Sequence, residues 1–202
     1  GDGAVHALLA AYEEVNQSIP IRKTRSTIIH SNFMSRESVE KCAALGVVPL
    51  IQPAWLYLDA RTLQEQFGYE RLRYFQPLKS LYEAGAMTAG GADHMQKIGS
   101  MRSINPYNPF LGMWVTVTRK AKWYDGKLHP EEALTREQAI RFYTINAAYA
   151  MHADKEVGSL EAGKRADFIV LDTDLLTCPE DAIREAKVRK TYLDGKCVYS
   201  VE

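Results

Sequence analysis

Five histidines stand at 6, 30, 94, 129 and 152, so no two are separated by two or four positions. That excludes HxH and HExxH within the chain, the arrangements that aim two imidazoles at one metal from a strand or a helix. What remains is positional. His30 follows the β-rich run Ser26-Thr27-Ile28-Ile29, and Asp93 closes another, weaker run from Ala86. In parallel α/β sheets the carboxyl ends of the strands are where ligands and catalytic groups gather. An imidazole and a carboxylate there suit a divalent metal such as zinc, which activates a water while the carboxylate accepts its proton. Two donors do not hold such an ion by themselves. Spacing alone leaves the plainer alternative open, in which His30 is a hydrogen-bonded residue at a strand end and Asp93 caps a turn.

The other reactive and aromatic side chains divide in the same way. His94, beside Asp93, can face the same cleft and touch a substrate, or be solvated as loop histidines usually are. His6 and His129 are read as solvated. His152-Ala153-Asp154 follows a helix end, where charge placement explains it better than a ligand pair. Trp55, Tyr57, Trp114, Trp123 and Tyr124 can line an apolar substrate pocket, Trp55 foremost, or pack in the core as aromatic residues more often do. The turn Gly1-Asp2-Gly3 is too short to be a phosphate loop.

The elements that must position these groups alternate. Val5, Leu8, Leu9, Tyr12 and Val15 recur at helical spacing. The strand ending at Ile29 is followed by a helix that Ser35 caps and Gly46 closes at Leu45. A second apolar run, Val47 to Pro53, precedes a helix predicted over 72–84, with Pro77 near its start and Gly85 after it. The third run, 86–93, is weakened by Gly90 and Gly91. The order βαβαβ implies a parallel sheet. Residues 94–130 carry Asn105-Pro106, Asn108-Pro109, Gly112 and Gly126, predicting a long excursion with one short helix near 109–118. Thr135 and Gln138 make a capping-box pair opening a helix over about 136–146. From Gly158 the chain is strand-rich, and Asp194-Gly195 signals a type I′ hairpin. The division is thus an α/β part, 1–157, and a β-rich tail, 158–202.

Composition bounds the partners. The 202 residues are 46% hydrophobic and 25% charged, so the chain can bury a core and is not disordered. Twenty-five basic residues balance twenty-five acidic ones, which gives no field to attract nucleic acid or an anionic membrane. A small molecule or another protein is the expected partner. Cys42, Cys178 and Cys197 are odd in number and widely spaced, so they are read as reduced, in a cytoplasmic setting. No apolar run reaches the roughly 18 residues that span a bilayer.

Several segments, in order, resemble the metal-dependent amidohydrolases, in the branch typified by N-substituted formamide deformylases. They are Gly1-Asp2-Gly3-Ala4-Val5, Ile28-Ile29-His30, Gly46-Val47-Val48 through Gln52-Pro53, and Leu81 through Gly85 before Asp93. The tail is the most specific. Leu134-Thr135-Arg136-Glu137-Gln138-Ala139, Asn146-Ala147-Ala148 and the run from Gly158 through Lys164-Arg165-Ala166-Asp167-Phe168 to Leu171 are similar to the family's return into its β-sandwich.

The resemblance implies a fold: the last three βα units of a (β/α)8 TIM barrel, followed by the C-terminal part of a small β-sandwich. A full barrel takes about 250 residues. Of the family's metal ligands, only the histidine after the sixth strand and the aspartate after the eighth have counterparts, His30 and Asp93. The fifth-strand histidine would lie just before Gly1. The family's aspartate commonly has serine before it and a small residue and proline after it, whereas this chain has Ala92-Asp93-His94. The implied activity is hydrolysis of a non-peptide C–N bond, such as an amide or cyclic amide, by metal-activated hydroxide, with Asp93 as proton shuttle and zinc as the expected metal. The isolated chain is expected to be inactive and to self-associate or pair with a missing N-terminal half, because the 26–32 strand sits at an open sheet edge. The alternative is a non-catalytic module of the same fold that binds a partner or ligand.

Overall fold

The computed structural model describes residues 1–94 and 107–201. In chain order the elements are α1 (Asp2–Ser18), β1 (Thr27–Ile29), α2 (Arg36–Leu45), β2 (Val48–Ile51), α3 (Pro53–Phe67), α4 (Leu78–Glu83), β3 (Ala89–Gly90), α5 (Pro109–Thr118), α6 (Arg136–Tyr143), α7 (Ile145–Ala150), β4 (Phe168–Leu171), β5 (Val188–Leu193) and β6 (Lys196–Ser200). They make an α/β protein with two small sheets. Strands β1-β2-β3 are parallel in that order, and β4-β5-β6 are antiparallel.

Local signals form the elements where the sequence places them. Ser35 accepts a hydrogen bond from the Ser38 amide at the start of α2, and Gly46 ends it with φ of 69°. A side chain at Gly46 would also meet the Arg22 carbonyl oxygen at 2.7 Å, so that turn needs glycine twice over. The Thr135–Gln138 capping box opens α6. Asp194 and Gly195 both have positive φ, the I′ requirement, in the β5–β6 turn.

The structure departs from the sequence expectation in four places. Residues 54–67, assigned no element from sequence, lie in the fifteen-residue α3, which has Pro53 in its first turn. Its apolar residues run together from Ala54 to Leu58, which hides the helical period. The helix expected over 72–84 shrinks to Leu78–Glu83, because Phe75 bridges to Phe33 and Gln76 turns left-handed. The helix expected over 136–146 breaks at Thr144, whose hydroxyl donates to the Ile140 carbonyl at 2.7 Å and bends the turn, and resumes as α7. The third strand keeps only Ala89–Gly90, and a Cβ on Gly90 would overlap the Phe142 ring of α6. Part of the expected 94–130 excursion, 95–106, lies outside the described residues, while its short helix stands as α5.

Two apolar clusters hold the layers. One packs α1, α2 and α4 on the parallel sheet through Leu9, Val39, Cys42, Leu81 and Ile51. The other joins α3 and α5 to the tail through Leu56, Trp114, Val115, Leu128 and Ile183. Cys42 is fully buried and its thiol is pushed up to about 12 by that burial, so it is inert at neutral pH. All three cysteines are free. Among the described residues no helix is long and apolar enough to cross a membrane.

Candidate functional site

Because β1, β2 and β3 run parallel, the residues that follow them meet at one edge of the sheet. His30 follows β1, Gln52 follows β2, and Gly91-Ala92-Asp93 follow β3. His30 and Asp93 both adopt positive φ, 72° and 51°, which turns the chain sharply as it leaves each strand. The His30 ring is 46% exposed and the Asp93 side chain 38%, so both are open to a ligand while held by the strand ends.

The contacts of His30 fix its chemistry. Its Nδ1 lies 2.9 Å from Gln52 Oε1 and 3.9 Å from Asp93 Oδ2. The Gln52 amide nitrogen donates to the Leu50 carbonyl at 3.2 Å, which leaves its oxygen facing the imidazole. An amide oxygen can only accept, so Nδ1 carries a proton, and in the neutral imidazole the lone pair is on Nε2. That is the state in which a histidine binds a metal, oriented by a hydrogen bond through its other nitrogen. Sequence reasoning quoted Gln52 without assigning it a role. The signal was available: it stands directly after β2, as His30 does after β1.

Trp55, one turn into α3, meets the His30 ring edge-on at 6.3 Å. Its indole Nε1 is buried without a partner among the described residues, an orphan donor beside the histidine. A cleft of about 440 Å³ opens here, lined by His30, Asn32, Phe33 and Trp55 and by Val5 and Leu8 of α1. His94 lies edge-on to Tyr107 at 5.4 Å, next to Asp93. A separate pocket of about 200 Å³ between α3 and α5 has Gly91 and Ala92 in its wall, beside Tyr57 and Tyr143. Burial raises the Tyr143 hydroxyl above its ordinary range, so it stays protonated there.

The remaining histidines and aromatics are elsewhere. His6 faces Glu37 at 3.8 Å on the surface. His129, expected to be solvated, is only 2% exposed: it stacks on Tyr69 at 4.0 Å and bridges Glu131 and the Tyr69 carbonyl, each at 2.8 Å. Its burial follows from a left-handed turn at residue 129 that folds the ring inward. Asp154 pairs with Arg25, which holds its carboxyl below the usual range. Trp114 is core and Trp123 is exposed.

His30 and Asp93 offer the nitrogen and oxygen donors that zinc takes. Among the described residues no three His, Cys, Asp or Glu side chains converge. The chemistry of the pair would fit a metal that takes its other ligands from further residues.

Comparison with known proteins gives the family. The model of the amidohydrolase family matches residues 1–199. The chain is 31% identical over 204 residues to the N-substituted formamide deformylase of Arthrobacter pascens, covering 98% of this chain and 35% of that protein. The structure of an uncharacterized metal-dependent hydrolase from Pyrococcus horikoshii superposes with a TM-score of 0.69 at 27% identity, over 90% of this chain and 34% of that one. A zinc-bound adenosine deaminase from Xanthomonas campestris shares the fold, with a TM-score of 0.61 at 20% identity, over 86% of this chain and 37% of that one. The chain therefore spans about a third of the length of the relatives it matches. It belongs to the amidohydrolase family, a family of hydrolytic enzymes.

Proposed function

We propose that the chain forms one part of a metal-dependent hydrolase of small-molecule C–N bonds, an amide or cyclic amide, and supplies two of its metal ligands. The observation that carries this reading is the meeting of His30, Gln52 and Asp93 at the carboxyl ends of three parallel strands. In it, residues 1–157 are the last three βα units of a (β/α)8 barrel, and 158–202 contribute to a β-sandwich. Zinc, when bound, lowers the pKa of a coordinated water and polarises the substrate carbonyl. The roles of the chain's own groups follow. His30 offers Nε2, with Gln52 holding Nδ1–H. Asp93 takes the proton of the attacking water and passes it to the departing nitrogen. Trp55 and His94 border the substrate. The open side of β1 is where the remaining barrel strands, or a second copy, would pair.

Because a catalytic zinc typically takes about three protein ligands, the 202-residue chain alone should lose zinc on dialysis and show no turnover of N-acyl or cyclic amides. Co-expression with the N-terminal part of the protein should restore both. Tight stoichiometric zinc with turnover by the chain alone would contradict the divided site. A full-length protein that binds no metal and hydrolyses no amide would favour a non-catalytic module.

A further inference from the structure

We propose that Gln76, a buried residue in neither the cleft nor the donor set, is a positioning residue that sets His30 in its metal-binding tautomer. It does so by tying together the segments that follow β1 and β2. This rests on the reading of His30 as a metal ligand.

Gln76 is 1% exposed and lies far from any sheet edge in sequence, yet it bonds to both strand-end segments. Its backbone amide donates to the Asn32 carbonyl at 2.8 Å. Its side-chain nitrogen donates to Asn32 Oδ1 at 2.8 Å and to the Gln52 carbonyl at 2.9 Å. A backbone carbonyl can only accept, so the orientation of this amide is settled by its partner, and both of its hydrogens are used. Asn32 is two residues after His30, and Gln52 is the residue whose side chain holds the His30 ring. One buried amide thus fixes the relative placement of the imidazole and its acceptor.

The surroundings are built around this conformation. Gln76 has φ of 49°, a left-handed geometry that residues with a Cβ adopt only when neighbours enforce it. The neighbour is Arg119, fully buried, which donates from Nη1 to the Gln76 carbonyl at 3.0 Å and from Nη2 to the Phe75 carbonyl at 3.1 Å. Its Nε donates to the Leu128 carbonyl at 2.9 Å. Burying a guanidinium is costly, and an apolar residue could have filled the space. What the arginine adds is a rigid fork that holds the 75–76 turn and aims the Gln76 amide at the two strand ends.

The test reads the His30 ring by ¹⁵N NMR in the metal-free 202-residue chain, at a pH where the imidazole is neutral. In the wild type the proton should reside on Nδ1, against the Nε2–H form that a free imidazole prefers. In Gln76→Leu and in Gln76→Glu, which keeps shape but cannot donate to the Gln52 carbonyl, the Nδ1–H to Nε2–H ratio should fall by about three- to tenfold, the range that one net hydrogen bond governs. Asn32→Ala, which removes only one acceptor, should give a smaller change in the same direction and decides the matter if the Gln76 variants do not fold. Leu9→Ala, a core variant in the α1 layer, should lower the melting temperature and leave the ratio unchanged. A wild-type ring without Nδ1–H, or an unchanged ratio in every folded Gln76 and Asn32 variant, would overturn the proposal. No hydrolysis is measured, so a positive result in a protein without amidase activity would leave the positioning role standing and remove only the hydrolase reading.

Discussion

Asp93→Asn in the full-length enzyme is expected to lower turnover by about 10² to 10⁴ while the melting temperature barely moves, because that is the usual loss when a general base is removed. The substitution keeps the shape of the side chain and its capacity to accept, and removes the basic carboxylate. Asp93 is 38% exposed and stands at the end of β3, facing His30 across 3.9 Å. A turn-capping role would give the opposite pattern, about 1 kcal/mol of lost stability with turnover preserved. Turnover and thermal unfolding measured on the same preparation separate the two roles.

Arg119→Met is expected to destabilise the 202-residue chain by about 3–5 kcal/mol, the cost typical of removing one partner from a buried charged network. The guanidinium is fully buried and serves three carbonyls, those of Phe75, Gln76 and Leu128. Methionine fills part of the volume and removes one donor from each of the three carbonyls, of which that of Gln76 keeps the Leu78 amide at 2.9 Å. Burial depresses the Arg119 pKa to about 10, with Glu132 and Glu131 opposing that shift, so the group is still charged at neutral pH. Glu132 is itself 1% exposed, paired with Arg73 and accepting from the Ser80 amide at 2.9 Å. Loss of one cation thus leaves a buried acid with fewer counter-charges. Denaturant unfolding is the direct check; a change within about 0.5 kcal/mol, as for an ordinary surface substitution, would show that the 75–76 turn holds without the arginine. Arg119→Lys should fall between, because an ammonium lacks the planar fork that reaches three acceptors together.

How far the sequence reveals this protein depends on whether the deciding contact is local. Ser35, Gly46, the Thr135–Gln138 pair and Asp194-Gly195 each act within a few residues of themselves, and each forms the cap or turn expected of it. His30 and Asp93 were legible as strand-end residues for the same reason: the βα rhythm places them. Gln76 and His129 were not. Their roles arise from partners 44 and 60 positions away in sequence, Asn32 and Tyr69, and nothing in the adjoining residues announces a buried left-handed turn. The helix α3 was hidden for a different reason, since a contiguous apolar stretch from Ala54 to Leu58 carries no period to read. Gln52 lies between these cases. Its place after β2 was legible, while its grip on the imidazole became visible only once β1 and β2 were paired in register, with Ile29 opposite Leu50.

The proposed role of His30 is that of a metal ligand held in its working tautomer at the strand ends. Metal analysis of the full-length protein tests it most directly, comparing wild type with His30→Ala after exhaustive dialysis and following folding by circular dichroism. The account predicts that wild type retains divalent metal at a fixed stoichiometry and that the folded variant loses it or binds it at least tenfold more weakly, in line with the 10- to 100-fold losses typical when even the groups that orient a ligand are removed. A folded His30→Ala protein that keeps the wild-type metal content and affinity would contradict it.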